Sequence, residues 1–366
     1  MPILRMTSRE NVQATFSFEQ PGFIPCDYFG TPEIHNALLQ YSRARNDDEL
    51  HDFLGTDIRI VMPRYVGPPL TSNADGSYMD VWGVLREPMP NEYGDYFEPT
   101  NYPYAEWQTI AEAEKHNWPS ADWYDYEALA GLCAMYPDKA VATGSFGTQD
   151  FVNGVAFGRG VENVLVDIAE QNEVYLYIVE KRHRFYLETF DRILDAAKGR
   201  IDIVLCGDDF GSQRACLISP QTFDQLFADK KREFFDMVHS HGAKISHHCC
   251  GSSRELIPRF IEVGMDALQT IQPQASGMDP YALKRDFRGQ IVLHGAVDVQ
   301  GWLQRATPEE VAAEVHRLME VVGDQGGFVI GPCHNIQPDT PLANVLAIYR
   351  AVARSRGSAN PKLFGS

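Results

Sequence analysis

Ala243-Lys244-Ile245-Ser246-His247-His248-Cys249-Cys250-Gly251 is the stretch on which the reading of this chain turns. Residues 243–247 read as a short, mostly apolar β-strand, with imidazoles and thiols at its C-terminal end. Successive side chains of a strand point to opposite faces, so His248 and Cys250 share one face and His247 and Cys249 the other. About eighty residues later Gly331-Pro332-Cys333-His334-Asn335 ends a second apolar run in the same kind of groups. In a barrel of parallel strands those ends meet at one mouth. A soft divalent metal, zinc by preference, suits such donors.

Working outward, short β-rich runs recur at residues 23–27, 58–62, 140–144, 201–206, 243–247, 266–271, 290–295 and 327–331. Segments of helical period separate them, the pattern of parallel strands joined by helices. Residues 219–240 start with Ser219-Pro220, and 307–322 with Thr307-Pro308-Glu309-Glu310, both helix-start signals. The expected fold is one α/β domain over residues 1–366, a (β/α)8 TIM barrel. Residues 6–20 are expected as an N-terminal helix packed outside it. Residues 71–126 form a long insertion rich in aromatics and proline, among them Trp82, Tyr93, Tyr96, Tyr104, Trp107 and Trp118. Such a segment is either a lid or binding element, or an excursion packed on the barrel wall. The tail over residues 355–362 reads as loose.

Composition narrows the function classes. With 44% hydrophobic and 22% charged residues, the chain is of the globular class. Fifty acidic against 32 basic residues, a net charge of −18, argues against nucleic acid or an anionic membrane as main partner. No apolar run approaches a bilayer span, and Met1-Pro2-Ile3-Leu4-Arg5 lacks a signal-type apolar region, so a cytoplasmic location is expected. Seven scattered cysteines read as reduced thiols, some buried and some ligating.

Active sites of such barrels are built from the loops that follow the strands. After residues 201–206 comes Gly207-Asp208-Asp209-Phe210-Gly211-Ser212-Gln213, which sets two carboxylates at the mouth as acid, base or hydrogen-bond partners. The run at 290–295 leads into His294-Gly295-Ala296-Val297-Asp298. Each of these groups taken alone has a bland reading as a cap or a satisfied core residue. Their convergence at the same strand ends is what points to a metal site.

These segments resemble the uroporphyrinogen decarboxylase superfamily, in particular its zinc-dependent, corrinoid-linked methyltransferases. The likeness runs from about Arg9 to Val352. It is carried by Asp208-Asp209-Phe-Gly-Ser-Gln213, His248-Cys-Cys250-Gly251, His294-Gly-Ala-Val-Asp298 and His334-Asn-Ile-Gln-Pro338-Asp-Thr-Pro341, with Asp80-Val-Trp82-Gly83 in the insertion. The resemblance implies a zinc held by His248, Cys250 and either Cys333 or His334. The family's cysteine falls on His334 by register, with Cys333 one residue earlier. It further implies acid or base roles for Asp208, Asp209 or an unligated His334, and substrate contacts from Gln213, His294, Asp298, Trp82 and Asn335. The arginine motif with which the decarboxylase grips its acidic tetrapyrrole is missing from Ile24-Pro25-Cys26-Asp27-Tyr28-Phe29.

The expected activity is therefore O-demethylation: a methyl group moves from a small methylated substrate, a methoxylated aromatic by preference, to a corrinoid (cobalamin) protein. No segment reads as a corrinoid-binding domain, so the corrinoid is expected on a separate partner; a second copy of the chain is a further candidate partner. Two other readings stand beside it. One is a metal-free decarboxylase or lyase using His334 and the Asp208–Asp209 pair, and the other is a barrel that binds a small molecule without catalysis.

Overall fold

The computed structural model describes residues 6–90, 92, 95–357 and 361–364. Tyr93 of the aromatic insertion, residues 1–5 at the start and 358–360 of the tail lie outside the described residues. Seven parallel strands form one curled sheet in chain order: β1 (Ile58–Ile60), β2 (Ala140–Gly144), β3 (Ile203–Gly207), β4 (Lys244–His248), β5 (Ala267–Ile271), β6 (Val292–Val297) and β7 (Phe328–Pro332). Helices alternate with most of them, which makes the fold a TIM-barrel type. The strands are buried nearly throughout, as sheets covered on both faces require.

The strand expected over residues 23–27 is not a regular strand. Its place between β7 and β1 is filled by single bridging bonds: Ile330 N–H donates to Pro25 O, Asp27 N–H to Ile330 O, and Asp57 N–H to Cys26 O. Pro25 has no N–H to offer, and the Cys26 N–H goes to the Asp57 carboxylate at 2.7 Å, so no continuous ladder forms.

The N-terminal helix Ser8–Phe16 is shorter than expected, and its position corrects the expectation that it packs outside the barrel. Val12 and Phe16 join the cluster of Ile58, Ala140, Ala142, Ile203, Leu205, Ala267, Val292 and Val329, which is the barrel interior. The helix thus plugs the N-terminal end of the barrel. It is started by a Thr7–Glu10 capping box and pinned by Arg9 to Asp202 at 2.9 Å and by Ser8 Oγ to Asp57 at 2.6 Å. Polar strand beginnings surround an apolar throat, and an amphipathic helix satisfies both.

The helix read over residues 219–240 is two, Pro220–Leu226 and Ala228–Ser240, broken at Phe227. Phe227 is buried, with its ring 5.4 Å from that of Phe210 and 6.3 Å from that of Phe151. Aromatic packing there outweighs helix continuity. Helix Pro308–Val321 begins at the Thr307 capping box as expected.

The insertion folds into a three-stranded antiparallel sheet, Tyr78–Met79, Leu85–Pro90 and Asp95–Pro99, followed by short helical turns. Most of its aromatics pack on the barrel wall. Trp82 lies under the Arg182 guanidinium at 4.0 Å and 5.2 Å from Phe185, both on helix Glu173–Ala197. Tyr104, Trp107, His116 and Trp118 form one ring cluster. Among the described residues of the insertion, Glu92 and Tyr96 at its far end reach the barrel mouth. Among the described residues no helix is long and apolar enough to cross a membrane.

Candidate metal centre

Strand β4 ends at His248, inside the barrel mouth, and the chain then turns through Cys249-Cys250-Gly251. Gly251 is required at that turn: its φ is +76°, and a Cβ there would lie 2.6 Å from Ser212 O. This lets the turn pack against the loop after β3, where Ser252 N–H donates to Ser212 O at 2.7 Å. The second donor segment arrives from β7, whose final Pro332 leads into Cys333 and His334.

Among the described residues, His248, Cys250 and His334 form a group whose donor atoms all lie within 4.8 Å of one another. His248 Nε2 and Cys250 Sγ are 3.0 Å apart, and the His248 and His334 rings meet edge-on at 5.6 Å. Cys333 does not belong to the group. It is fully buried, and its N–H donates to Val297 O at 2.8 Å. Of the two residues left open, His334 is the one beside His248 and Cys250, because the side chain after Pro332 is buried in the wall and the next one lines the mouth.

The electrostatics suit a cation. Burial, and then the Asp209 carboxylate, push the Cys250 thiol well above its usual range, so a thiolate there needs a positive partner. Burial keeps His248 neutral, and burial with the neighbouring His248 lowers His334 to about 4. Two neutral imidazoles and a thiol awaiting a counter-charge fit a soft divalent ion such as zinc. Asn335 N–H donates to His334 Nδ1 at 2.8 Å, which leaves the ring hydrogen on Nε2.

The two expected carboxylates differ. Asp208 is buried and both its oxygens are taken, by Phe151 N–H at 3.0 Å and Val152 N–H at 2.9 Å, with Lys231 Nζ at 3.2 Å. It is a structural anchor beneath the mouth, and the acid or base role expected of it is corrected accordingly. Asp209 is partly exposed; it accepts from Cys250 N–H at 2.7 Å and Asn153 Nδ2 at 2.8 Å and lies 3.8 Å from His248 Nε2. It therefore holds the ligand turn in place.

A cavity of about 950 Å³ opens above the group. Cys250 and His334 line it, and so do the expected Gln213 and Asn335. Gln272, Gln304, Glu33 and Tyr96 also line it and were not expected. No Arg or Lys is among its lining residues. Three expected substrate contacts lie elsewhere. Trp82 is on the outer wall, as described above. His294 is buried inside the barrel, its Nε2 3.5 Å from Asp27 Oδ2. Asp298 accepts from Gln300 N–H at 2.6 Å and shapes the loop after β6, whose Val299 and Gln300 line the cavity instead.

The profile of the family described as uroporphyrinogen decarboxylase (URO-D) matches residues 157–355, more than half of the chain. No curated protein matches it. Among solved structures, a methyltransferase from Methanosarcina mazei has 16% sequence identity and a TM-score of 0.66, covering 96% of this chain and 99% of that one; at this identity the likeness concerns the fold. An IolI protein, its structure described with a bound zinc atom, has 12% identity over 68% of this chain and 82% of its own, but at a TM-score of 0.32 it carries no argument. Fold, motif order and profile agree: the chain belongs to the uroporphyrinogen decarboxylase (URO-D) family.

Proposed function

We propose that this protein is a zinc-dependent methyltransferase that takes the methyl group of a small methoxylated aromatic and passes it to a corrinoid carried by a separate protein. The observation that carries this reading is the His248, Cys250 and His334 group at the floor of an open cavity. The resemblance of the same motifs to corrinoid-linked methyltransferases supports it. So does the uncharged or acidic lining, which offers a tetrapyrrole's carboxylates no cationic grip.

When bound by these three residues, zinc supplies a Lewis-acid centre with an open position for the substrate oxygen that must leave. The protein's own groups prepare that event. Asp209 fixes the backbone of Cys250, whose Sγ lies 3.0 Å from His248 Nε2. Gln213 and Asn335 offer amides to orient a polar donor, and Tyr96 sets an aromatic face at the rim.

The test measures metal content after dialysis against a weak chelator, then methylation of added cob(I)alamin by absorbance with a panel of methoxylated aromatics. The expected result is about one zinc per chain and methylation that His248→Ala abolishes. Protein that retains no stoichiometric metal overturns the zinc reading. Metal-loaded protein that methylates no corrinoid from any donor of the panel overturns the substrate reading.

A further inference from the structure

Strands β4, β5 and β6 place His248, Gln269 and His294 side by side in register, in one row across the barrel. All three are buried. Gln269 Oε1 makes the close contact to His248 Nδ1, whereas Gln269 Nε2 and His294 Nε2, both buried, have no hydrogen-bond partner among the described residues. A primary amide buried inside a barrel of Ala, Val, Ile and Leu costs stability unless it serves a purpose. Its one satisfied atom is the one that touches the metal-ligand candidate.

We infer that Gln269 is a positioning residue for the metal centre: its carbonyl oxygen holds the hydrogen of His248 on Nδ1 and so leaves the Nε2 lone pair, 3.0 Å from Cys250 Sγ, free to bind the ion. This rests on the metal reading above and adds a residue that none of the expected site positions includes. The register matters here. The same backbone ladder that pairs Gln269 with His248 pairs it with His294, whose Nε2 lies 3.5 Å from Asp27 Oδ2. The contact that orders this row is the one from His248 Nδ1 to Gln269 Oε1. With the amide reversed, Nε2 would donate to His248 Nδ1 and push the ring hydrogen onto the metal-facing nitrogen.

The test is a zinc competition titration against a chromophoric chelator, using Gln269→Met and Gln269→Glu beside the parent protein. Met keeps the length and loses the acceptor; Glu keeps the acceptor. Gln269→Met is expected to weaken zinc roughly 10- to 100-fold, the size usual for a lost ligand-orienting contact, and Gln269→Glu to bind at least as tightly as the parent. Parent-like affinity in Gln269→Met overturns the inference, and so does a loss in Gln269→Glu equal to that in Gln269→Met. Should Gln269→Met not fold, the Gln269→Glu titration decides alone: binding as tight as the parent supports the acceptor role, and weaker binding overturns it. A parent protein that binds no zinc overturns the metal reading itself, a distinguishable outcome.

Discussion

At the scale of single residues, the site separates groups that look alike on paper. Cys333 and His334 are neighbours, yet one is sealed in the wall and the other reaches the donor group. Asp208 and Asp209 are also neighbours, yet one is wholly consumed by backbone amides and Lys231, and the other steadies the ligand turn. Each pair follows from the alternation of side chains where strand gives way to loop. The distinction is measurable: Cys333→Ser should retain the metal of the parent protein, whereas His334→Ala should lose it under the same dialysis. Equal retention by both variants would remove His334 from the ligand set.

At the scale of elements, the N-terminal helix and the insertion show how an amphipathic or aromatic segment finds its partner. Helix Ser8–Phe16 fills the barrel throat with Val12 and Phe16, and the barrel interior would otherwise be open at that end. Phe16→Ala is expected to cost about 3–5 kcal/mol, as for other large buried side chains, read from urea unfolding. Metal content should stay unchanged, because the helix lies at the opposite end from the ligands. Loss of metal in a folded Phe16→Ala variant would show that the throat and the mouth are coupled. In the insertion, Trp82 serves the wall, with cation-π and edge contacts to helix Glu173–Ala197, while Tyr96 serves the mouth. The packing on the barrel wall accounts for most of this segment, and Tyr96 is the aromatic that lines the cavity.

At the scale of the whole molecule, buried imidazoles make the fold sensitive to acid. Burial lowers His51 to about 4 and His294 to about 3, and it also lowers His116, His183 and His247. These rings are neutral in the fold and gain a proton on unfolding at any pH between their folded values and about 6.5. The unfolded state then binds more protons, so stability falls as pH drops from about 6.5 toward 4. Asp27, raised to about 7 by burial, and Asp150, raised by burial and by Asp208, act in the opposite sense as pH rises, but they are fewer. The urea midpoint should therefore decline below pH 6.5, less steeply in His51→Gln. A midpoint flat from pH 6.5 to 4 would contradict this balance.

The barrel strands were legible in the sequence because a parallel strand covered on both faces must be apolar along its whole length, and seven of the eight runs read that way are strands of the sheet. His248 and Cys250 were legible because a strand repeats every two residues. Residues 23–27 misled because an apolar run does not reveal that a proline and a side-chain carboxylate will interrupt its ladder. Gln269 left a faint signal, an amide amid the apolar Ala-Leu-Gln-Thr-Ile of β5, whose meaning depends on the strands beside it. The sequence by itself thus determined the architecture and two members of the candidate donor group, since both are written in local periodicity. Only the tertiary structure decided that His334 rather than Cys333 lies beside them, that a helix plugs the throat and that the Gln269 amide meets His248. Those depend on which side chains of distant segments the closing barrel brings within a few ångströms, and no local pattern encodes that.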